Sequence, residues 1–224
     1  MMQVLIVGSG KLATELLDRP SLGSLKVRRW SDASATKGRS IVVHAGSGRE
    51  LDRVIAYCRE TNSTLVELAT GSQLEIASPA FPVVLCPNTN ILMLKFMNML
   101  ARSGKLFAGY HIEVAESHQA GKRSAPGTAI AIARSLGLSA DDVISVRDPE
   151  VQSAAWRIPA EHLGRHAAHA VLIEDGACRI SLETRVFGAS PYADGVARIV
   201  SAVAAHRLED RVYAIDEFIE NGWV

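Results

Sequence analysis

The sequence lacks the residues that mark several classes of protein. It has only three cysteines, Cys58, Cys86 and Cys178, and their wide spacing gives neither a CxxC metal motif nor a disulfide framework. Its 24 basic residues are balanced by 24 acidic ones, so it has no positive excess of the kind that nucleic-acid-binding proteins carry. We therefore expect no nucleic-acid partner. Since 48% of the residues are hydrophobic, the chain is expected to fold around a core.

Long apolar runs are also missing. The longest apolar stretch, residues 91–100, is interrupted by Lys95, and it is about half of the roughly 20 residues that a membrane-spanning helix needs. The first strand pattern begins at Gln3, so we expect no signal peptide before it. The sequence therefore predicts a soluble, cytoplasmic protein with no membrane partner.

Strand and helix patterns alternate through the first 90 residues or so. Short, continuous apolar runs are typical of strands that are buried on both faces of a parallel sheet. The alternation predicts an α/β fold with a doubly wound parallel sheet. The expected strands are 4–7, 25–29, 41–43, 64–68 and 82–85, and the expected helices begin at Leu12 and Leu51.

The pattern then changes to successive strands with few helices, which predicts a separate α+β domain with an antiparallel or mixed sheet. The expected strands are 111–115, 143–147, 151–158, 170–173 and 179–187, and the expected helices are 91–101, 128–136 and 193–205.

A glycine turn follows the first strand. Residues 8–13 read Gly-Ser-Gly-Lys-Leu-Ala, which matches GxGxx(G/A) between a strand and a helix. In that context Gly8 allows the tight turn, Gly10 lets a pyrophosphate approach the backbone, and Ala13 permits close packing of helix on strand. Lys11 can add a phosphate contact. The alternative is a tight turn that binds no ligand.

The end of the second strand bears on the choice of dinucleotide. An acid there binds the ribose 2′-hydroxyl of NAD, but this sequence has Arg28 and Arg29, and Asp32 comes later. Arginine favours a 2′-phosphate. We therefore expect NADP(H) as the preferred cofactor, with NAD(H) possible if these arginines are only an ordinary basic strand end.

A second glycine loop follows the third strand, where Gly46-Ser47-Gly48 is flanked by His44 and Arg49. Loops at this edge of a doubly wound sheet face the cofactor crevice. A flexible turn without a ligand is the alternative.

Residues 116–129 carry most of the chemistry. His118 and Lys122 follow a strand, and Pro-Gly-Thr at 126–128 opens a helix. His118 can donate a proton near neutral pH, and Lys122 can neutralise a substrate anion. The backbone N–H groups of Gly127 and Thr128 form an anion site. These groups suit a carboxylate-bearing substrate, although a polar loop that caps a helix would look similar.

Residues 116–129 also resemble the dihydrodipicolinate reductase signature E-x-H-H-x-x-K-x-D-A-P-S-G-T-A. The match extends along the chain in order: residues 8–13 resemble the family's G-x-x-G-R-M-G turn, 69–71 its G-T-T-G loop, 86–90 its A-P-N-F-S segment and 212–218 its closing L-Y-D-M-x-D-V-L.

The resemblance implies a Rossmann domain, 1–90 with 190–224, and an inserted substrate-binding and oligomerisation domain, 91–189, that makes a homotetramer. It implies NAD(P)H-dependent reduction of a cyclic, unsaturated dicarboxylate in lysine and diaminopimelate biosynthesis, with His118 and Lys122 as catalytic residues. The substrate-binding residues would be Gln119, Gly127, Thr128 and Thr70. The cofactor-binding residues would be Gly8, Ser9, Gly10, Lys11, Leu12, Arg29, Ala69, Thr70, Gly71 and Asn88.

Departures from the signature leave the substrate open. Gln119 stands for the second histidine, Ser124 for the aspartate and Thr89 for the phenylalanine, and the serine before Gly127 is missing. One alternative is a reductase or dehydrogenase of the same fold that acts on another imino or keto acid. Another is a nucleotide-binding sensor that has lost catalysis.

Three histidines have helical spacing, His162, His166 and His169. On one helix they could gather a metal, but Gly164 interrupts the pattern and no carboxylate or cysteine completes a ligand set. We expect no metal site. His166 or His169 falls near the histidine of the family's G-E-H segment.

Overall fold

The computed structural model describes residues 2–31, 38–123, 125–188 and 190–224, except for the side chains of Ser190 and Pro191. In chain order the helices and strands are β1 (Val4–Val7), α1 (Lys11–Leu17), β2 (Ser21–Leu22), β3 (Leu25–Arg29), β4 (Ile41–His44), α2 (Leu51–Thr61), β5 (Thr64–Glu67), β6 (Val83–Leu85), α3 (Ile91–Ser103), β7 (His111–His118), α4 (Gly127–Ser135), β8 (Val143–Val146), α5 (Pro149–Ala154), β9 (His166–Glu174), β10 (Arg179–Phe187), α6 (Ser190–Ala205), β11 (Val212–Ala214) and α7 (Ile215–Glu220).

The chain divides into two units, Met1–Leu94 with Ala189–Val224 and Lys95–Gly188. The sequence places the divisions after residues 90 and 189 instead. The first division falls inside α3 because Ile91 and Leu94, in its first turn, are buried in the core of the first unit. The roles expected of the two domains stay predictions.

The first unit contains a doubly wound sheet, as the alternation of strands and helices predicts. Its described strands lie in the order β11-β6-β5-β4-β1-β3-β2. All neighbouring pairs are parallel except β2 with β3. Because β3 and β4 lie on opposite sides of β1, the loops that leave β1 and β4 diverge at the carboxyl edge. This is the topological switch point at which such sheets bind ligands.

Apolar side chains cover both faces of this sheet. Val4 and Ile6 face one buried cluster, which includes residues of α1 and α6. Leu5 and Val7 face the other, which includes residues of α2. This alternation explains why β1 is apolar at every position.

The second unit contains a mixed sheet in the order β10-β9-β7-β8, in which β7 and β8 are parallel and the other pairs antiparallel. Residues of α4 cover one face, where Ile132 and Ala133 cluster with Val114 of β7 and Val171 of β9.

The expected strand at 151–158 is wrong. The chain forms α5 over Pro149–Ala154 because Asp148 caps it, its carboxylate accepting the N–H groups of Glu150 and Val151. Pro149 suits the first helical turn, where its missing N–H costs nothing. Asp148-Pro149 was therefore a helix-start signal.

The three histidines with helical spacing do not lie on one helix. His162 lies in a short 3-10 helix, and His166 and His169 lie on β9. Within the part of the chain that the structure describes, no group of three or more histidine, cysteine or acidic side chains is arranged to hold a metal ion. No helix in that part is long and apolar enough to cross a membrane.

Candidate functional site

The glycine turn after β1 packs against the loop after β4. A Cβ on Gly8, whose φ is +121°, would lie 2.5 Å from the carbonyl oxygen of Ala45, so glycine is required there. A Cβ on Gly10 would meet no described atom within 4 Å. Gly10 therefore borders open space. A cavity of about 330 Å³ lies here, lined by Gly8, Ser9, Gly10, Ala45, Gly46, Ser47, Arg49 and Glu50.

A larger cavity of about 450 Å³ lies at the ends of β4 and β5. Its lining residues are His44, Ser47, Gly48, Arg49, Leu51, Asp52, Ala69, Thr70, Gly71, Ser72 and Gln73. Ser47 and Arg49 line both cavities. The structure thus brings the two glycine loops and the 69–71 loop to one edge of the sheet.

Four expected cofactor residues lie outside these two linings. Lys11 and Leu12 are in the first turn of α1, and Arg29 ends β3 next to β1. The Asn88 side chain accepts the N–H of Asn90, and its carbonyl accepts a bond from Cys86 Sγ. Asn88 therefore shapes the turn before α3. Asp32, considered above for the ribose, lies outside the described residues.

In the second unit, Glu116 is the centre of a polar cluster at the ends of β7 and β8. Its buried carboxylate accepts hydrogen bonds from His118 Nδ1 at 2.5 Å, Ser145 Oγ at 2.5 Å and both terminal nitrogens of Arg147 at 2.6 and 3.0 Å. Burial alone would raise the pKa of Glu116, but the hydrogen bonds from His118, Arg147 and Ser145 outweigh it and lower the pKa to about 2.

This cluster orients His118. The Glu116 carboxylate can only accept, so Nδ1 of His118 carries the hydrogen and Nε2 is left for proton transfer. Gln152 donates to the backbone carbonyls of His118 and of Val146, which ties the ends of β7 and β8 together. The His118 side chain is 14% exposed. A partly accessible histidine held by a buried carboxylate is suited to general acid chemistry.

His169 lies on the same face, because it pairs with Glu116 across β9 and β7. Its ring centroid is 5.7 Å from that of His118, edge to face. Nδ1 contacts Thr184 Oγ1 at 3.0 Å, while Nε2 is buried with no hydrogen-bond partner among the described residues. Burial, with the charge of His118, lowers the pKa of His169 to about 4.

His166 lies on the opposite face of β9 from His169. It bonds Ser117 Oγ through Nε2 and the His162 carbonyl through Nδ1, and burial lowers its pKa. Of the two histidines near the G-E-H position, only His169 therefore shares a face with His118.

The expected anion-binding residues lie on the connection from β7 to α4. The N–H of Lys122 donates to the Gln119 carbonyl and forms a turn, and α4 begins at Gly127. A Cβ on Gly127 would meet no described atom within 4 Å. Thr128 follows in the first turn. The connection therefore joins His118 directly to the residues expected to hold a carboxylate. Ser124 lies outside the described residues.

Glu116 and Arg147 were not among the expected site residues, and His169 was named only as one of two histidines near the family's G-E-H position. Glu116 carried a usable signal, since residues two apart on a strand share a face and it precedes His118 by two. Arg147 and His169 arrive through pairing with β8 and β9, which no local pattern specifies.

Comparison with known proteins identifies a family model and several relatives that match this chain. The family model described as dihydrodipicolinate reductase, C-terminus, matches residues 90–219. The probable 4-hydroxy-tetrahydrodipicolinate reductase 2, chloroplastic, of Oryza sativa subsp. japonica is 36% identical over 128 residues, which cover 52% of this chain and 39% of that protein. The 4-hydroxy-tetrahydrodipicolinate reductase 2, chloroplastic, of Arabidopsis thaliana is 36% identical over 126 residues, which cover 52% and 36%.

Among solved structures, the dipicolinate-bound dihydrodipicolinate reductase from Paenisporosarcina sp. TG-14 superposes with a TM-score of 0.63 at 14% identity, covering 96% of this chain and 98% of that one. It shows the same fold. The sequence matches to the plant proteins span less than two fifths of their length. The family model matches more than half of the chain, including the 116–129 signature, and the chain therefore belongs to the dihydrodipicolinate reductase family.

Proposed function

We propose that the protein reduces (hydroxy-)dihydrodipicolinate to tetrahydrodipicolinate with NAD(P)H, as a 4-hydroxy-tetrahydrodipicolinate reductase of lysine and diaminopimelate biosynthesis. The observation that carries the proposal is the Glu116–His118 pair at the end of β7, which leads directly into the loop that holds Lys122 and Gly127. One short connection therefore carries both a proton donor and a positively charged site that can bind an anion. This combination suits the reduction of an unsaturated carboxylate.

The carboxyl edge of the first unit fits a dinucleotide. Two cavities share Ser47 and Arg49 as lining, and the smaller includes the open space above Gly10. Gly8, Ser9 and Gly10 would hold the pyrophosphate, and Ala69, Thr70 and Gly71 would border the nicotinamide, which supplies a hydride when bound. Arg28 and Arg29, both exposed at the end of β3, favour the 2′-phosphate of NADP(H), and NAD(H) is the alternative.

In the second unit each residue has a distinct part. Lys122, with the backbone N–H groups of Gly127 and Thr128, holds a substrate carboxylate, and Gln119 lies beside them on the same loop. His118 provides a proton from Nε2 while Glu116 fixes its Nδ1. Because Glu116 stays ionised, it also stabilises the charged imidazole from which that proton leaves.

A second candidate keeps the fold and changes the substrate. Gln119 replaces the second histidine of the signature and the loop before Gly127 is one residue shorter. A neutral amide and a tighter loop suit a smaller imino or keto acid with a single carboxylate.

A homotetramer and a cytoplasmic location belong to the same proposal. The homotetramer is carried over from the resemblance of residues 116–129 to the family's signature. The location stays a prediction.

The decisive experiment follows the oxidation of NADPH and of NADH by absorbance, with the hydroxy-tetrahydrodipicolinate substrate generated in situ. Turnover supports the reductase proposal, and a preference for NADPH supports the role of Arg28 and Arg29. Turnover only with another imino or keto acid selects the second candidate. Cofactor binding with no turnover on any of these acids indicates a sensor.

Lys122→Ala tests the anion site. Loss of a charged hydrogen bond costs about 1.5–3 kcal/mol, so we expect kcat/KM to fall roughly 10- to 100-fold, with KM raised and kcat lowered. Arg123→Ala removes an exposed neighbouring cation from the same loop and is the matched control. Equal effects of the two changes would contradict a specific contact by Lys122.

A further inference from the structure

A buried histidine–glutamate pair lies at the carboxyl edge of the first sheet. His44 ends β4 and Glu67 ends β5, and the two residues are partners in the parallel register. Both side chains are fully buried, and His44 Nδ1 lies 2.8 and 2.9 Å from the two Glu67 carboxylate oxygens. Taking such a pair out of water costs free energy. Stabilisation of the fold is therefore a weak explanation for its presence. The other residues of β4 are apolar.

Glu67 reaches beyond this pair to the loop after β5. Its Oε1 also accepts the backbone N–H of Ala69 at 2.8 Å. Ala69, Thr70 and Gly71 line the larger cavity. The carboxylate therefore fixes the start of that cavity wall.

The other nitrogen of His44 points at the second glycine loop. Nε2 is buried and has no hydrogen-bond partner among the described residues. A Cβ on Gly46 would lie 2.9 Å from it, so the ring lies directly against the backbone of Gly46. Any side chain at position 46 would displace the ring or the loop.

The loop after β4 in turn packs against the glycine turn. The Ala45 carbonyl oxygen lies so close to Gly8 that a Cβ on Gly8 would be only 2.5 Å from it. Close contacts therefore run from Ala69 through Glu67 and His44 to the loop at 45–46 and on to Gly8. These residues belong to the ends of three neighbouring strands, β5, β4 and β1.

We propose that His44 and Glu67 are positioning residues for the dinucleotide edge, holding the loops at 8–10, 45–49 and 69–73 in the arrangement that binds NAD(P)H. This inference rests on the proposed cofactor site. His44 acts through Gly46 and Glu67 acts through Ala69, and neither side chain needs to touch the nucleotide.

Three variants separate these contacts. His44→Asn keeps an amide nitrogen where Nδ1 lies, so it can still donate to Glu67. His44→Leu removes that donor. Glu67→Gln replaces one carboxylate oxygen with an NH2 group. This group donates rather than accepts, although both His44 Nδ1 and the Ala69 N–H donate to residue 67. The matched control is Tyr57→Phe, which removes a hydroxyl that bonds Ser40 just before β4, at the opposite edge of the same sheet.

The first measurement needs no nucleotide. Hydrogen–deuterium exchange should rise by about tenfold or more in peptides covering 45–49 and 69–73 in His44→Leu and Glu67→Gln, and change less in His44→Asn. Tyr57→Phe should leave these peptides at the wild-type rate. A Tm for each variant shows that it is folded, and Glu67→Gln and His44→Asn decide the question if His44→Leu does not fold.

The second measurement is the Kd of NADPH and of NADH by fluorescence titration. We expect His44→Leu and Glu67→Gln to weaken binding of the preferred nucleotide about tenfold, and His44→Asn less than threefold. Wild-type affinity in Glu67→Gln overturns the inference, as does an equal loss in Tyr57→Phe. If the wild-type protein binds neither nucleotide, the proposed function fails. Independently of that result, unchanged hydrogen–deuterium exchange in the two peptides of His44→Leu and Glu67→Gln would show that the pair does not position the loops.

Discussion

At the scale of single residues, burial has different outcomes for the pKa values of Glu116 and His169, the two ionisable groups paired across β7 and β9. Glu116 has charged and polar donors on three sides and stays ionised to a pH of about 2. His169 has one hydroxyl partner and loses its proton already above a pH of about 4. The face therefore carries a fixed negative charge on Glu116 and a neutral ring beside His118 near neutral pH.

The lowered pKa of His169 predicts how stability depends on pH. In the unfolded chain histidine binds a proton below about pH 6.5, whereas folded His169 stays neutral down to about pH 4. The unfolded state therefore binds more protons in this window, and the free energy of unfolding falls as the pH falls from 6.5 to 4, by at most about 1.4 kcal/mol per pH unit.

His169→Asn should remove this part of the slope while its amide can still contact Thr184. The measurement is urea unfolding at several values between pH 7 and pH 4. The slope should shrink without vanishing, since burial also lowers the pKa of His166. His111→Asn, at the exposed start of β7, is the control. Parallel pH profiles for the wild type and His169→Asn would refute this account.

At the scale of helices and strands, the close approach of α6 to the segment before α3 explains an unusual glycine. A Cβ on Gly195 would lie 1.5 Å from the carbonyl oxygen of Thr89. The buried Thr89 hydroxyl donates to the Tyr192 carbonyl in the first turn of α6. Thr89, which departs from the family's phenylalanine, therefore anchors this helix, and Gly195 is where the two backbones meet.

Gly195→Ala should be strongly destabilising although alanine favours helices by about 1 kcal/mol over glycine. The methyl group cannot fit without moving the helix or the segment at Thr89, and overpacking of this kind costs about 1–3 kcal/mol or more. Thermal unfolding should show a Tm lower by several degrees. Ala204→Ser adds one atom at an exposed position of α6 and should leave the Tm nearly unchanged. A Tm for Gly195→Ala at or above the wild-type value would contradict the contact.

The elements that the sequence predicts well are those whose own residues determine them. The apolar runs of β1, β4 and β5, the turn at Gly8 and the start of α4 are local signals, whereas the role of His118 stays a prediction. Elements and contacts that depend on distant partners were missed. β11 has only three residues and is a strand because it pairs with β6, and Arg147 reaches Glu116 only because β8 pairs with β7.

At the scale of the whole molecule, the two buried thiols lie on opposite faces of the first sheet. Cys58 belongs to the cluster around Leu5 and Val7, and Cys86 to the cluster around Val4 and Ile6. Burial raises the pKa of each thiol to about 12, so neither forms the reactive thiolate in the folded protein. Cys178, in contrast, is exposed.

Thiol labelling should therefore modify Cys178 alone in the native protein. Because both buried clusters are built on the same strands, neither face can open while the other keeps its packing, and Cys58 and Cys86 should become reactive together as urea is raised. Iodoacetamide labelling at a series of urea concentrations, read by peptide mass spectrometry, gives a midpoint for each cysteine. Coincident midpoints for Cys58 and Cys86 are expected. Two separated midpoints would mean that the layers on the two faces of the sheet unfold independently, and a Cys178→Ser variant with unchanged midpoints shows that modification of the exposed thiol does not drive the transition.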